Sequence, residues 1–263
     1  MNSQKRWDGR SSLPAVDTGT IALLAGAGFC AGAVNAVAGG GSLVSFPALL
    51  AAGYPSVTAN VTNALAVLPG YVGGSLAYRS ELAGQGRRIR ALATTSALGS
   101  AAGAALLLSS PASLFDAIVP WLILAATGLL ALQPRAAIVA ERHRDHPGSR
   151  VVLHATLFLG AVYGGYFGAG LGIMLLALLG VLLRDDLHRL NALKGVLSLI
   201  VAIVAALGFA VFGPIAWDAA LIVGAASLGG GAAGVRVARR LPAPLLRGLV
   251  IALGVAVAIA LAV

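Results

Sequence analysis

The sequence predicts an all-α polytopic membrane protein with about eight transmembrane helices in two inverted repeats, each beginning with a broken helix. Three observations lead to this prediction. Of the 263 residues, 59% are hydrophobic and only 10% are charged, whereas about a quarter of the residues in soluble domains are charged. Apolar runs of about 20 residues, long enough to cross a bilayer, recur along the chain. Two glycine clusters interrupt these runs at corresponding places in the two halves.

The first half, residues 18–133, follows an N-terminal tail (1–17) and holds one interrupted run followed by three full runs. The interruption is the sequence GGGS at 39–42, and the short apolar piece behind it ends at a Gly-Tyr-Pro turn (53–55). These features predict one helix before the interruption, a short helix after it, and then three membrane-spanning helices. The predicted helices cover residues 18–38, 43–52, 57–78, 91–108 and 112–132.

The second half, residues 151–263, repeats this order after a polar stretch (134–150) that is predicted to be a basic cytoplasmic loop. Its first run is interrupted by the sequence GAGLG at 168–172. A shift of 131 positions places the first glycine cluster on the second and also places Asn60 on Asn191. The predicted helices cover residues 151–167, 173–183, 190–212, 215–235 and 249–263.

The charged loops predict that the halves are inverted. In the first half the arginine-rich loop (79–90) precedes a bare loop (109–111), whereas in the second half a bare loop (213–214) precedes the basic loop (236–247). If basic loops are cytoplasmic, equivalent loops face opposite sides of the membrane. Each broken run must then turn back as a hairpin, and both termini lie outside. An N-inside topology is the alternative, because the first helix often sets the orientation.

The glycine clusters are the first candidate binding residues. Non-helical backbone inside a bilayer is tolerated where protein covers it or where it lines a wet cavity. A helix that restarts after such a break presents free N–H groups and the positive end of its dipole, which favours an anion. The alternative is that these glycines only allow close helix packing. The candidate residues are Gly39, Gly40, Gly41, Ser42, Gly168, Gly170 and Gly172.

Lys194 is the second candidate, because it is a charged residue deep within a predicted span. Such a charge costs about 3 kcal/mol on insertion scales and is a functional candidate by default, although a lysine can also extend to the membrane interface. Asn191 lies one helical turn before it on the same face. Asn60 and Asn63 occupy the matching face in the first half, and Asn35 precedes the first break. Together these residues predict a mainly neutral cage with one positive charge, suited to a small anion.

Other function classes find little support in the sequence. The net charge of +9 resides in short loops between apolar runs, which favours contact with anionic lipid rather than nucleic acid. No catalytic set of serine, histidine and acid, no paired acids and no metal-ligand spacing emerges. We therefore expect no enzyme activity, no cofactor and no metal.

The segments that carry the candidate residues resemble the TauE/SafE sulfite exporter family. In the first half the resemblance rests on AVNAVAGGGSL (33–43), the Phe-Pro pair at 46–47 and TNALA (62–66). In the second half it rests on YGGYFGAGLG (163–172) and LNALK (190–194). The resemblance implies a multi-pass permease of the bacterial inner membrane that moves sulfite, sulfoacetate or another small organosulfur anion. It adds weight to both glycine clusters and to Asn63, Asn191 and Lys194 as binding residues.

We therefore expect a secondary transporter for a small sulfur-containing anion, such as sulfite or an organosulfonate, working by alternating access. A non-transporting membrane scaffold subunit and a passive anion channel are the alternatives. The expected partners are the anion and the lipid bilayer, and a homo-oligomer stays open.

Overall fold

The computed structural model is helical throughout the part of the chain that it describes, with no strand there. That part comprises residues 14, 17–37, 40–77, 79–142, 150–183, 185–238, 248, 251–252, 255–256 and 258–259. Within it the helices are α1 (Thr18–Val37), α2 (Ser42–Ala51), α3 (Ser56–Ala66), α4 (Leu68–Ala77), α5 (Gly86–Ser109), α6 (Ala112–Arg142), α7 (Arg150–Tyr166), α8 (Leu171–Leu182), α9 (Leu187–Phe212) and α10 (Trp217–Ala238).

Large apolar side chains are exposed on the outside of the bundle as well as buried in its core, and small polar ones lie inside. Trp121, Val211 and Leu221 are 71%, 70% and 69% exposed, whereas Asn60 and Asn63 are 2% and 3% exposed. A water-soluble fold would expose few such side chains, because extensive exposed apolar surface favours contact with lipid or with another protein. The distribution is that of a protein whose outer surface meets hydrocarbon.

Three of the described helices are long and apolar enough to cross a membrane. They are the segments Thr18–Asn35, Gly86–Ser109 and His188–Phe212, which belong to α1, α5 and α9. The predicted helical, membrane-spanning class agrees with these findings. The predicted number of about eight spans and the inversion of the halves remain predictions.

Both predicted helix breaks are present. The first separates α1, which ends at Val37, from α2, and the second separates α7, which ends at Tyr166, from α8. With 10 and 12 residues, α2 and α8 are about 15 and 18 Å long, roughly half of a 30 Å hydrocarbon core. α8 folds back along α7, because a Cβ on Gly164 would lie 2.8 Å from the Leu171 side chain and one on Gly160 would lie 3.7 Å from that of Leu175.

Some boundaries differ from the predicted ones. The predicted span 57–78 is divided at Val67 into α3 and α4, because Pro69 cannot donate the next intrahelical hydrogen bond. α6 continues to Arg142, well into the stretch predicted to be a loop. α5 begins at Gly86, so the arginines after it form its first turn. α9 begins earlier than predicted because Asp186 caps it, accepting a hydrogen bond from the amide of His188.

Two glycine-lined seams join the halves. In the first, α1 packs against α10 so closely that a Cβ on Gly32 would lie 2.1 Å from the Ser227 carbonyl oxygen. In the second, α5 packs against α7, and a Cβ on Gly103 would lie 2.1 Å from the Val162 carbonyl oxygen. The 131-residue shift that relates the halves carries α1 onto α7 and α5 onto α10. The contact of α1 with α10 therefore corresponds to the contact of α7 with α5 when the two halves are interchanged.

The helices α3, α4 and α9 pack against one another between these seams. A Cβ on Gly195 of α9 would lie 3.7 Å from the Ser75 hydroxyl of α4, whereas Asn63 of α3 lines the same cavity as Phe209 near the end of α9. Residue numbers thus rise along α3–α4 as they fall along α9. The central helices of the two halves run antiparallel.

Candidate functional site

A cavity of about 30 Å³ lies where the two breaks approach each other, with room for about two water molecules. Ser42, the first residue of α2, and Leu171, the first residue of α8, both line it. The described residues that line it include no acid. Its other polar or backbone-exposing lining residues are Asn63, Tyr71, Gly164, Gly165 and Gly168.

The first turns of α2 and α8 already use most of their amides. In α8 the amides of Leu171, Ile173 and Met174 donate to the carbonyl oxygens of Gly168 and Gly170. In α2, residues 43–45 likewise donate to the carbonyl oxygens of residues 40 and 41. These tight turns leave fewer free donors than the sequence predicts for helix restarts. What they offer to a ligand is mainly the positive dipole end.

Asn63 is a predicted site residue that lines the cavity. It is 3% exposed, and its side-chain oxygen accepts a hydrogen bond from the hydroxyl of Ser45 in α2. Among the described residues, none accepts a hydrogen bond from its amide nitrogen. Since the cavity is the open space beside Asn63, this nitrogen can donate to a ligand there.

Asn60 ties the first half to the second break. Its side-chain nitrogen donates to the carbonyl oxygen of Tyr166, the last residue of α7, at 2.9 Å. Carbonyls at a helix end lack intrahelical partners, so this bond satisfies one of them. Tyr163 closes the same break, because its hydroxyl donates to the Ala169 carbonyl oxygen at 2.6 Å. Both side chains hold the unwound segment in place.

At the first break, Asn35 and Gly41 lie together. A Cβ on Gly41 would lie 2.3 Å from the Ala31 carbonyl oxygen and 3.0 Å from Cβ of Asn35, and one on Gly70 would lie 3.6 Å from the Asn35 amide nitrogen. Asn35 therefore fills the space between α2 and α4. Gly40 approaches the second half, where a Cβ on it would lie 3.5 Å from the Ile173 side chain. Gly39 lies outside the described residues.

At the second break, two glycines have backbone conformations that favour glycine. Gly168 has φ +78° and Gly170 has φ +74°, in the left-handed region that L side chains rarely adopt. Gly172 lies within the first turn of α8 and is buried.

Lys194 and Asn191 lie apart from this cavity. Lys194 is partly buried on α9, next to Gly195 and therefore close to Ser75. Seven positions along α9 separate Lys194 from Val201, which lines the cavity, a rise of about 10 Å. The structure thus brings Ser42, Asn63, Gly168 and the first turn of α8 together but does not join them with Lys194 in one cage. The reason is the antiparallel packing of α4 and α9.

Several polar residues near these positions were not predicted from the sequence. Ser45 binds Asn63, and Tyr71 lines the cavity. Ser198 is fully buried one turn after Lys194, and neither its hydroxyl nor that of Ser75 has a hydrogen-bond partner among the described residues. Lone serines and tyrosines in apolar helices are common, so sequence alone does not distinguish them. The helical spacing of Ser198 from Lys194 is the one available signal.

A cluster of charged side chains lies at the beginning of α9, before Lys194. Arg88, in the first turn of α5, pairs with Asp185 at 2.6 Å, and Arg189 pairs with the same carboxylate at 2.9 Å. Burial by itself raises the pKa of Asp185, but the hydrogen bonds from Arg88 and from the amide of Asp186, with the charge of Arg189, outweigh it and hold that pKa below its ordinary value. The cluster ties the loop between α8 and α9 to α5.

Comparison with known proteins places the whole helical region in one family. The family model described as sulfite exporter TauE/SafE matches residues 24–261. A Sinorhizobium protein named probable membrane transporter protein ORF9 is 31% identical over 249 residues, covering 92% of each chain. A Haemophilus influenzae protein named probable membrane transporter protein is 30% identical over 233 residues, covering 88% of this chain and 90% of that protein. No solved structure matches this chain. The chain therefore belongs to the sulfite exporter TauE/SafE family of membrane transporters.

Proposed function

We propose that this chain is a secondary transporter that carries a small sulfur-containing anion, such as sulfite or an organosulfonate, across the bacterial inner membrane by alternating access. The observation that carries the proposal is the central cavity between the beginnings of α2 and α8. Helix N-termini favour anions without a side-chain charge. Asn63 and Ser42 add neutral polar groups, and the described lining contains no acid. A cation would find no counter-charge there.

We also propose that residues 18–133 and 151–263 are inverted repeats, with 1–17 as a tail and 134–150 as a cytoplasmic loop. The exchange of the α1–α10 and α5–α7 seams supports a twofold relation between the halves. The opposite order of basic and bare loops supports inversion. In inverted-repeat transporters the binding site lies near the midplane, where broken helices meet. The half-length helices α2 and α8 fit that arrangement.

Transport requires the cavity to change. It has room for about two waters, whereas sulfite has four heavy atoms and a charge that must be solvated on entry. The halves would therefore move relative to each other, opening the cavity first to one side and then to the other. No ATP-binding motif is present in the sequence. Coupling would be to protons or to the membrane potential.

Purified protein in reconstituted vesicles tests this function. Saturable uptake of sulfite or sulfoacetate that shows counterflow would support the carrier. A flux that rises linearly with concentration would instead indicate a passive anion channel, and no flux would indicate a scaffold subunit. A parallel binding screen with sulfite, sulfate, sulfoacetate, taurine and carboxylates would identify the substrate class. Asn63→Ala is the matched variant, because it removes a cavity-lining amide without changing charge.

A further inference from the structure

We propose that Ser198 and Ser75 complete a second anion-binding station around Lys194, separate from the central cavity. The Lys194 station is defined here as Lys194, Ser198 and Asn191 of α9 with Ser75 of α4. The inference rests on the proposed function for its ligand class. It differs from a single central cage because it gives the substrate two stopping points along one path.

The first observation is the pair of hydroxyls without partners. Ser198 is fully buried, the Ser75 hydroxyl is also buried, and neither has a hydrogen-bond partner in the described part of the chain. Buried polar groups in native proteins are almost always hydrogen-bonded, and an exception calls for a water, an ion or a ligand. Ser96 and Thr127 also lack a partner among the residues that the structure describes, whereas Ser100 donates to the Val201 carbonyl oxygen and Ser227 to that of Gly224. What distinguishes Ser75 and Ser198 from the other two is their position near Lys194.

The second observation is that the unsatisfied groups lie near a cation that has no hydrogen bond or ion pair among the described residues. Ser198 lies four residues after Lys194, so both share one face of α9. Ser75 reaches the same level from α4, beside Gly195. Within the described ranges, no hydrogen bond or ion pair joins Lys194 to another residue. An ammonium with two hydroxyl donors and no carboxylate is a set of groups that an oxyanion would satisfy.

The third observation is where this group lies. The same face of α9 continues from Ser198 to Ala202 and Ala205, which line the central cavity. Ser75 lies near the end of α4, just before the arginine-rich stretch 79–90 that connects to α5 and forms its first turn. This stretch is basic and hence expected on the cytoplasmic side. The Lys194 station therefore lies between that side and the cavity. An anion on this path would meet one neutral and one charged station.

Protection of Lys194 from chemical labelling tests the proposal without relying on transport. The chain has two lysines, Lys5 and Lys194, so Lys194 is the only lysine in a Lys5→Arg background. A small acylating reagent would label it in purified protein, and mass spectrometry of the peptide would measure the extent. Sulfate, methanesulfonate and sulfoacetate serve as probes, because they do not consume the reagent as sulfite would.

We expect at least one of these anions to protect Lys194 in a saturable manner. Ser198→Ala should raise the concentration for half-protection about tenfold, because a hydrogen bond to a charged group contributes about that factor. Ser198→Cys, which keeps the size but has a weaker donor, should give a smaller rise. Ser75→Ala should act in the same direction. Ser227→Ala is the control, since its hydroxyl already has partners, and it should leave half-protection unchanged.

Two results would overturn the proposal. Either no anion protects Lys194, or anions protect Lys194 in Ser198→Ala at the same concentration as in the parent protein. These results are distinguishable from failure of the proposed function. A protein that shows protection but no flux in vesicles would contradict transport and leave the station intact. A protein that transports sulfite with counterflow while Lys194 stays equally reactive would contradict the station and leave transport intact.

Discussion

The two glycine breaks occupy corresponding positions in the two halves, yet they depend on glycine for different physical reasons. Gly41 has an ordinary right-handed conformation (φ −55°), but a Cβ there would lie 2.3 Å from the Ala31 carbonyl oxygen. At Gly170 the steric conflict is smaller, because an added Cβ would lie 3.2 Å from Cβ of Ala126. Its φ, however, is +74°. The first break needs glycine for close approach and the second needs it for backbone conformation.

The same comparison extends to the polar residues that follow each break. Asn63 and Lys194 correspond under the 131-residue shift. Asn63 is neutral and accepts a hydrogen bond from Ser45, whereas Lys194 is charged and has no partner in the described part of the chain. The halves therefore share an architecture but not a chemistry. The corresponding positions 63 and 194 can therefore contact the anion at two different points of the proposed transport path.

The largest effect is expected from valine at the break glycines. Gly41→Val and Gly170→Val should each lower the free energy of unfolding by about 3 kcal/mol or more, the first through a clash with backbone and the second through a strained φ. Gly224→Val should cost less, because the nearest backbone atom to its Cβ would be 3.6 Å away. Thermal unfolding in detergent measures all three. Equal tolerance would mean that the breaks are ordinary packing positions.

Removal of the charge in the second half should have the next largest effect. Lys194→Ala should reduce anion transport in vesicles at least tenfold, because the substrate loses a charge-assisted contact. Asn63→Ala, at the corresponding position, should reduce it less, about threefold to tenfold, because a neutral hydrogen bond contributes less. Membrane insertion and unfolding temperature are the controls. Parent-level transport by Lys194→Ala would remove this residue from the path.

The hydroxyl of Tyr163 distinguishes the second break from the first. Tyr163→Phe should destabilise the second break by about 1 kcal/mol, since the buried Ala169 carbonyl oxygen loses its donor. The corresponding position in the first half is Gly32, so no such bond exists there. Hydrogen exchange should speed up at the amides around 167–172 and stay unchanged at 40–44. Faster exchange at both breaks would indicate a global rather than a local effect.

The smallest effect is expected at the ion cluster. Asp185→Asn should lower stability by about 0.5 kcal/mol, because the arginines that pair with it are about a third exposed and solvent screens them. The pKa of Asp185 is depressed on folding, so its contribution is present above the ordinary value of 3.8 and is lost as pH falls below it. The difference in melting temperature between parent and variant should persist at neutral pH and vanish in acid. A difference that grows in acid would contradict this assignment.

Local patterns predicted much of the fold. The apolar runs predicted the helices, and the glycine clusters predicted both breaks. Both predictions succeed because helix propensity and the backbone freedom of glycine act locally along the chain. The division at Val67 could also have been predicted, since Pro69 is visible in the sequence. The early start of α9 follows from Asp186 as a capping residue.

The placement of the candidate residues needed more than local pattern. The sequence joined Asn63 and Lys194 in one cage because both follow glycine breaks at the same spacing. Their separation depends on which helices cross and in which direction, and α4 and α9 cross antiparallel. The unpartnered hydroxyls of Ser75 and Ser198 are equally invisible in sequence, because a hydroxyl becomes costly only when tertiary packing excludes water and supplies no acceptor.

By itself, then, the sequence determined that this chain is a helical membrane protein with two broken helices, because hydrophobic length and glycine positions act locally. Only the tertiary structure decided that the breaks meet at a neutral cavity while Lys194 lies outside it, about 10 Å along α9 from the lining residue Val201. The physical reason is that close backbone contact through Gly32 and Gly103 sets how the helices of one half lie against those of the other. That arrangement decides which polar groups can share a ligand.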